Sequence, residues 1–180
     1  MRMTTPVCIA LLFAGTVHAA PPAEEGVARS VTAFYETCVR LQLAGVPDAG
    51  QRAQLRPLVS PALDAALAAA DEAETRYAKK TNRQVPPLVQ GDLFTSLFEG
   101  ASRVTVASCS GDAGRASCPV DFVYQDSKSG PETRWQDRVH VVKAATGWVV
   151  DDVEYAGSWS FARRGRLTDT LKAVVREADR

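Results

Sequence analysis

The stretch from Trp135 to Tyr155 constrains the fold of this chain more than any other part of the sequence. It reads Trp-Gln-Asp-Arg-Val-His-Val-Val-Lys-Ala-Ala-Thr-Gly-Trp-Val-Val-Asp-Asp-Val-Glu-Tyr, and its β-branched and aromatic residues favour strands. The short Ala-Ala-Thr-Gly sequence interrupts it once, and Gly147 suits a turn that needs a positive φ. The stretch therefore predicts a long antiparallel hairpin at the centre of a curved sheet, with helices before and after it.

The second strand of this hairpin carries a local irregularity in its pattern. In a regular strand, Trp148 and Val150 would lie on one face, whereas Val153 and Tyr155 would lie on the other. A β-bulge at the Asp-Asp pair of positions 151–152 would turn all four apolar side chains to the same face. The sequence therefore predicts a bulge at this pair.

The rest of the chain predicts an α+β fold, with apolar residues at helical spacing near both ends and alternating residues between them. Helices are expected at about 24–43, 48–55, from 61 to the Val-Pro-Pro sequence at 85–87, 91–100 and 166–178. Strands are expected near 102–109, 117–126, 132–144 and 147–155. Within 91–100, Leu93, Phe94, Leu97 and Phe98 are too apolar for a free loop, so this element should plug one end of the core.

Length and charge limit the classes of protein to consider. The chain has 180 residues, a formal net charge of +0 and 46% hydrophobic residues, which suits one globular domain, predicted to span residues 20–180. Zero net charge argues against a nucleic-acid-binding protein, which normally carries a basic surplus. No apolar run reaches the length needed to span a bilayer.

The first 19 residues predict a signal peptide. Arg2 provides a positive start, residues 7–16 form a short apolar run, and Val-His-Ala at 17–19 fits a small-residue cleavage site. An uncleaved membrane anchor is the alternative, but the run is short for a span. Cys8 lies inside the run rather than at the junction, which argues against lipidation. The expected location of the mature protein is periplasmic or secreted.

Three cysteines remain in the mature chain. Cys109 and Cys118 flank a turn-like Ser-Gly-Asp-Ala-Gly-Arg-Ala-Ser linker between two strand-like runs, and export makes a disulfide between them the best pairing. The alternative is a pair of reduced, half-buried thiols. Cys38 lies on the apolar stripe of the first helix, which favours an inert buried thiol.

The order of an N-terminal helical layer followed by a four-strand meander resembles the cone-shaped α+β fold of nuclear transport factor two, ketosteroid isomerase and their cystatin-like relatives. Three segments also look like an uncharacterised family of exported bacterial proteins with this fold: Gly91-Asp-Leu-Phe-Thr-Ser-Leu-Phe-Glu-Gly100, Gly147-Trp-Val-Val-Asp-Asp-Val-Glu-Tyr155 and Gly165-Arg-Leu-Thr-Asp-Thr-Leu171. The resemblance implies N-terminal helices packed on a curved four-stranded antiparallel sheet with a C-terminal helix. It implies export as well, and no activity, because fold alone does not carry chemistry.

Catalytic signatures are weak in this sequence. His140 is the one histidine of the predicted mature chain, which excludes a multi-histidine metal site, and the cysteines lack the spacing of a zinc site. We expect neither a metal nor another cofactor. Related folds place acid and base groups inside the cone, so the candidates for an isomerase- or dehydratase-like enzyme are Tyr35, His140, Asp152 and Tyr155. For Asp152 the simpler interpretation is hydrogen bonding within the bulge, and Asp92 is first a helix cap.

Two groups of residues suit a binding surface. Arg134, Gln136, Arg138 and His140 alternate along one predicted strand and should form a polar stripe on the sheet. The second group combines aromatic and basic side chains, as protein interfaces do: Trp159, Phe161, Arg163, Arg164 and Arg166. Alternatively, Trp159 and Phe161 cover the mouth of the cone while the arginines stay in water.

The sequence therefore predicts an exported, non-enzymatic binding module, with a small-pocket enzyme as the alternative. The expected binding residues are Arg134, Arg138, His140, Trp159 and Arg163. The partner is an unknown protein or a small ligand, not a nucleic acid, and a homodimer through the sheet face is one form of this hypothesis. Protection against an exported enzyme, or its inhibition, is one possible role.

Overall fold

The predicted hairpin forms the middle of the sheet in the computed structural model, which describes residues 22–180. Its strands are β4, Thr133–Ala144, and β5, Gly147–Tyr155. Gly147 has a φ of 136°, which an L side chain rarely adopts, as the turn sequence predicted. The other strands are β1, Arg103–Val106, β2, Ser110–Gly111, β3, Arg115–Tyr124, and β6, Gly165–Arg166. The helices are α1, Pro22–Leu41, α2, Ala49–Leu55, α3, Pro61–Lys80, and α4, Leu167–Ala178.

The sheet is antiparallel and open, in the order β1-β3-β4-β5-β6, and β2 also pairs with β3. Within residues 22–180 it has six strands instead of the four predicted. The two additional strands, β2 and β6, are two residues long each, which is too short to produce a periodic pattern. The mixed α+β class is confirmed.

The β-bulge is confirmed, and it lies where the pattern changes parity. His140 is paired with Asp152 and Val141 with Val150, so Asp151 is the extra residue of β5. As predicted, Val150 and the apolar residues beyond the bulge are buried together, and Trp148 packs partly buried against the same core.

Helix starts follow the sequence signals. Ser60 accepts a hydrogen bond from the Leu63 N–H at 3.0 Å, and Pro61 follows it at the first position of α3. Asp48 and Gln51 form a reciprocal capping box at the start of α2. A short 3-10 turn, Arg56–Leu58, connects α2 to α3.

The core lies between the helices and one face of the sheet, which we call the inner face. Helix α1 contributes a buried stripe at helical spacing: Val27, Val31, Phe34, Tyr35 and Cys38. An aromatic chain continues from it through edge-on and stacked contacts among Phe34, Tyr35, Phe94, Phe122 and Trp135. Large side chains therefore fill the interior beneath the sheet.

The disulfide prediction is confirmed, and Cys109 is bonded to Cys118. Cys38 is a buried thiol without a disulfide among the described residues. The predicted signal peptide and Cys8 lie outside these residues. No helix within 22–180 combines the length and the apolar character needed to cross a membrane.

The predicted helix at 91–100 is wrong; this stretch, which we call the plug segment, contains bends and a turn but no helix. The Ser96 N–H, which in a helix would donate to the Asp92 carbonyl, donates to Asp137 Oδ2 at 2.8 Å. Leu93 and Phe94 are buried, as is Leu97, so these three residues fill the core as predicted. Phe98, expected in the same plug, is 58% exposed.

Candidate functional site

The plug segment is held in place by a buried carboxylate on β4. Asp137 is 1% exposed, and it lies between Trp135 and Val139, which also point to the inner face. It accepts hydrogen bonds from the Ser96 N–H and hydroxyl, from the Trp135 indole N–H at 3.1 Å and from the Ala156 N–H at 2.8 Å. Four donors thus replace water around Asp137, which fixes the plug segment to the sheet.

A second carboxylate, Asp92, lies at the start of the plug segment. Asp92 Oδ1 accepts from the N–H groups of Phe94 and Thr95, so the residue caps a turn rather than the predicted helix. Burial raises the pKa of Asp92 to about 6, although these two N–H groups and the Arg163 guanidinium oppose the rise. Arg163 itself donates to the Asp92 backbone carbonyl at 3.0 Å.

Asp92 lines a cavity of about 310 Å³ between the end of α1 and the plug segment. Tyr35 and Cys38 line it from α1, together with the exposed Val39, and Phe98 lines it from the plug segment. Burial raises the pKa of the Cys38 thiol, and the neighbouring Asp92 adds to this effect. The thiol is therefore protonated at neutral pH, which agrees with the inert role expected from the sequence.

An exposed aromatic patch adjoins the cavity. Phe161 is 82% exposed and Phe98 is 58% exposed, and together with Ser96 and Arg163 they line a depression of about 230 Å³. Trp159 is half-buried behind Phe161 and lies edge-on to Trp135, with 5.9 Å between the ring centroids. We call Phe98, Phe161 and Arg163 the aromatic patch.

The two tyrosines named by the sequence lie on the inner face and hold the plug segment. The Tyr35 hydroxyl donates to the Phe94 carbonyl at 3.1 Å, and the Tyr155 hydroxyl donates to the Leu93 carbonyl at 2.6 Å. Burial raises the pKa of each tyrosine. Both hydroxyls are thus neutral donors to the backbone.

The other two catalytic candidates, Asp152 and His140, are cross-strand partners on the opposite side of the sheet. Asp152 accepts from the Thr168 N–H at 3.1 Å and from its hydroxyl at 2.9 Å, so it caps the N-terminus of α4. His140 Nε2 lies 3.1 Å from Glu154 Oε2. The four candidates therefore fall into two pairs on opposite faces of the sheet.

The predicted polar stripe exists on what we call the outer face, where Arg134, Gln136 and Arg138 are exposed. Its charges are paired locally, since Glu132 bridges Arg103 and Arg134. The predicted binding residues thus split between two surfaces. Arg134, Arg138 and His140 belong to the outer face, whereas Trp159 and Arg163 lie by the plug segment.

Sequence reasoning missed Asp137. The alternation that exposes Gln136 and Arg138 also turns position 137 inward, so a buried acid in this strand was visible in the pattern. Its partner Ser96 is 41 residues earlier in sequence, and no local spacing connects the two. The role of Asp92 in a cavity was hidden by its simpler interpretation as a helix cap.

Comparisons with known proteins do not assign this chain to a family. A scan of protein-family models matches none, and searches of the curated proteins and of the solved structures find no significant match. Within residues 22–180, no cluster of three or more metal-ligating side chains is placed to hold an ion. The arguments about function therefore depend on the geometry of this chain.

Proposed function

We propose that this chain is an exported binding module and that the aromatic patch contacts a protein partner. The observation that carries the proposal is the exposure of Phe98 and Phe161, which line one depression together with Arg163. Phenylalanine side chains that remain this exposed lose hydrophobic free energy, which a partner can recover by covering them. Aromatic and arginine side chains are also the residues that contribute most to binding at protein interfaces.

The packing of the interior supports this proposal over a central enzyme pocket. Phe34, Phe94 and Phe122 are each at most 1% exposed, and they occupy the space beneath the sheet. The tyrosine hydroxyls that could act there already donate to backbone carbonyls of the plug segment. A small-pocket enzyme needs titratable groups that converge on open space.

We extend the proposal to compartment and fold type. The apolar run and the small-residue site at 17–19 support cleavage after Ala19 and export to the periplasm or the medium. The Cys109–Cys118 disulfide is typical of oxidising compartments. Helices packed against an antiparallel sheet that carries a β-bulge support the cone-shaped, cystatin-like type. Protection against, or inhibition of, an exported enzyme is a role that such a module could serve.

A second candidate function, a small-pocket enzyme, is favoured by one specific observation. Asp92 has a pKa of about 6 and lines the 310 Å³ cavity, and a carboxylate with such a pKa is suited to proton transfer near neutral pH. In this alternative Asp92 is the general base, a role that the sequence had placed on other residues. Retention of full biological activity by an Asp92→Asn variant would exclude it.

Site-specific photocrosslinking tests the proposed function. Benzoylphenylalanine replaces Phe98 or Phe161 in the full-length chain, expressed in the cells that make the protein, and the exported fraction is irradiated. We expect the same discrete adduct from both positions. A Phe161→Ser substitution should reduce the adduct from position 98 by about tenfold or more, because Phe161 is too exposed to matter for folding.

Val85 provides the matched control, since it is 42% exposed and lies outside the aromatic patch. Benzoylphenylalanine at position 85 should give no such adduct, and Val85→Ser should leave the crosslinking from position 98 unchanged. An adduct of equal yield from position 85, or no adduct from either phenylalanine position, would contradict the proposal.

A further inference from the structure

The cavity beside the aromatic patch has an unbalanced charge. Two carboxylates line it, Asp92 and Glu99, and no lysine, arginine or histidine of the described residues does. The rest of its wall combines polar groups with the apolar side chains of Val39, Val104 and Phe98. A space of about 310 Å³ holds a small organic molecule or the end of a long side chain.

The Asp92 carboxylate is only half satisfied by the protein. Oδ1 accepts the two backbone hydrogen bonds of its turn, while Oδ2 accepts none from residues 22–180. Asp92 also forms no ion pair within that range, since the Arg163 guanidinium donates to the backbone carbonyl instead. Asp92 is partly buried, and its Oδ2 lies beside Gly100 in the wall of the cavity. An ionised carboxylate in such a partly enclosed site without a neighbouring cation attracts one, so this oxygen favours a cation or a proton.

We propose that this cavity binds a cationic nitrogen, an amine or guanidinium, carried on an apolar stem. The charged nitrogen contacts Asp92 Oδ2, and the stem packs against Val39, Val104 and Phe98. The inference rests on the proposed function in one respect, because Phe98 belongs both to the cavity and to the aromatic patch. The cation is either a free amine or a lysine or arginine side chain of the partner on that patch.

The groups around Asp92 agree with a cationic ligand. Those that face it from the neighbouring elements are Tyr35 and Cys38 of α1, Asp137 of β4, Tyr155 of β5, Glu99 of the plug segment and Arg163. Burial keeps the tyrosines and the thiol neutral. Arg163 is thus a single cation among three carboxylates, and the surroundings of the cavity are negative.

The test compares two ligands of matched shape. The ¹⁵N-labelled mature protein, residues 20–180 with its disulfide intact, is titrated by NMR at pH 8 with benzylamine and with benzyl alcohol. We expect benzylamine to shift amide signals of 35–44 and 91–104 and to bind about tenfold more tightly than the alcohol. Equal affinities for the two, or no binding of either, would overturn the proposal.

Two variants assign the effect to Asp92. Asp92→Asn retains an oxygen to accept the Phe94 and Thr95 N–H groups and removes the charge, so benzylamine should bind it no better than the alcohol. Asp121→Asn removes a carboxylate of the outer face and should leave both affinities unchanged. Tight benzylamine binding to Asp92→Asn would overturn the proposal.

The pH dependence of benzylamine binding tests the same proposal in the wild-type protein, so the test does not require that Asp92→Asn folds. Because Asp92 has a pKa of about 6, roughly nine-tenths of it is protonated at pH 5, and benzylamine should bind about tenfold more weakly there than at pH 8. An unchanged affinity would overturn the proposal.

A third ligand, Nα-acetyl-lysine methylamide, distinguishes the sources of the cation. Tighter binding than benzylamine indicates a side chain of a protein, and weaker binding indicates a free amine. Crosslinking from the aromatic patch without benzylamine binding would refute this inference alone. Asp92-dependent benzylamine binding without crosslinking would refute only the proposed protein interface.

Discussion

Two carboxylates on the outer face and two on the inner side are held in opposite ways. On the outer face, Glu132 and Glu154 lie within reach of water and pair with arginines and with His140. On the inner side, Asp137 and Asp92 form no ion pair with any residue of 22–180 and are held by N–H and O–H donors. The inner carboxylates therefore fix the path of the backbone that donates to them, whereas the outer carboxylates bind only side chains.

The pKa shifts of the two regions follow from this difference. The Arg103 guanidinium lowers the pKa of Glu132 through its hydrogen bond, and His140 does the same for Glu154. Burial instead raises the pKa of Asp92. Paired and solvated charges add little to stability, whereas a buried carboxylate must be satisfied by donors, and the donors of Asp137 determine the path of the plug segment.

The strongest test of this comparison is the Asp137→Ala substitution. It leaves the buried Ser96 N–H and Trp135 indole N–H without their acceptor, so the free energy of unfolding should fall by about 3–5 kcal/mol. Asp121→Ala, which removes one exposed hydrogen bond to Gln136, should cost no more than about 0.5 kcal/mol. Urea unfolding of the oxidised mature protein measures both. Equal losses would show that the two faces do not differ.

The disulfide offers a contrast to the carboxylates, because it stabilises the protein mainly by lowering the entropy of the unfolded chain. Cys109 and Cys118 are nine residues apart, and a loop of this size predicts a loss of about 2–3 kcal/mol in the Cys109→Ala variant. Neither cysteine lines the cavity, so the benzylamine affinity should not change. Urea unfolding and the NMR titration check the two parts. A change in affinity would show that the β2–β3 hairpin also shapes the cavity.

The pH dependence of the free energy of unfolding should distinguish Asp92 from the outer-face carboxylates. Its pKa is raised from 3.8 to about 6 in the folded protein. Between these pH values the folded protein therefore binds more protons at Asp92 than the unfolded chain does. The contribution of Asp92 to stability falls as the pH rises through this window. At pH 8, Asp92→Asn should therefore be more stable than the wild type, by on the order of 1–3 kcal/mol.

As the pH falls below about 4 this difference should shrink towards zero, because Asp92 then becomes protonated in the unfolded chain as well as in the folded one. Urea unfolding of the two proteins from pH 3.5 to 8 measures the difference curve. A variant that is less stable than the wild type at pH 8 would show that a cation from the protein already compensates the Asp92 charge.

Local patterns predicted the hairpin, the bulge, the starts of α2 and α3, and the disulfide. Each of these depends on residues close in sequence, such as the Ser60-Pro61 start of α3 or the parity change at Asp151. The plug segment has the composition of a short helix, with an acid at its start and a glycine at its end, and a helix was predicted there. The bond from Ser96 to Asp137 overrides this local preference.

The candidate site was less predictable than the fold for the same reason. Tyr35 was named by the sequence, but its hydroxyl donates to the Phe94 carbonyl, 59 residues away. Trp159 and Arg163 were named as binding residues, and they do lie beside the plug segment. The cavity itself depends on how α1 packs against the plug segment. These two segments are far apart in sequence, and the pattern of a single sequence does not show how closely they approach.

The smallest effect is expected for the ion pair between His140 and Glu154 on the outer face. The Glu154 side chain is 43% exposed, and exposed pairs contribute about 0–1 kcal/mol, so a double-mutant cycle with His140→Ala and Glu154→Gln should give a coupling energy within this range. Because His140 lowers the pKa of Glu154, the part of the coupling that depends on the carboxylate is lost as the pH falls through that lowered pKa. Urea unfolding at low and high salt measures it, and screening should weaken it further. A coupling above about 2 kcal/mol that survives 1 M salt would show that the outer face is organised by its charges as strongly as the inner side.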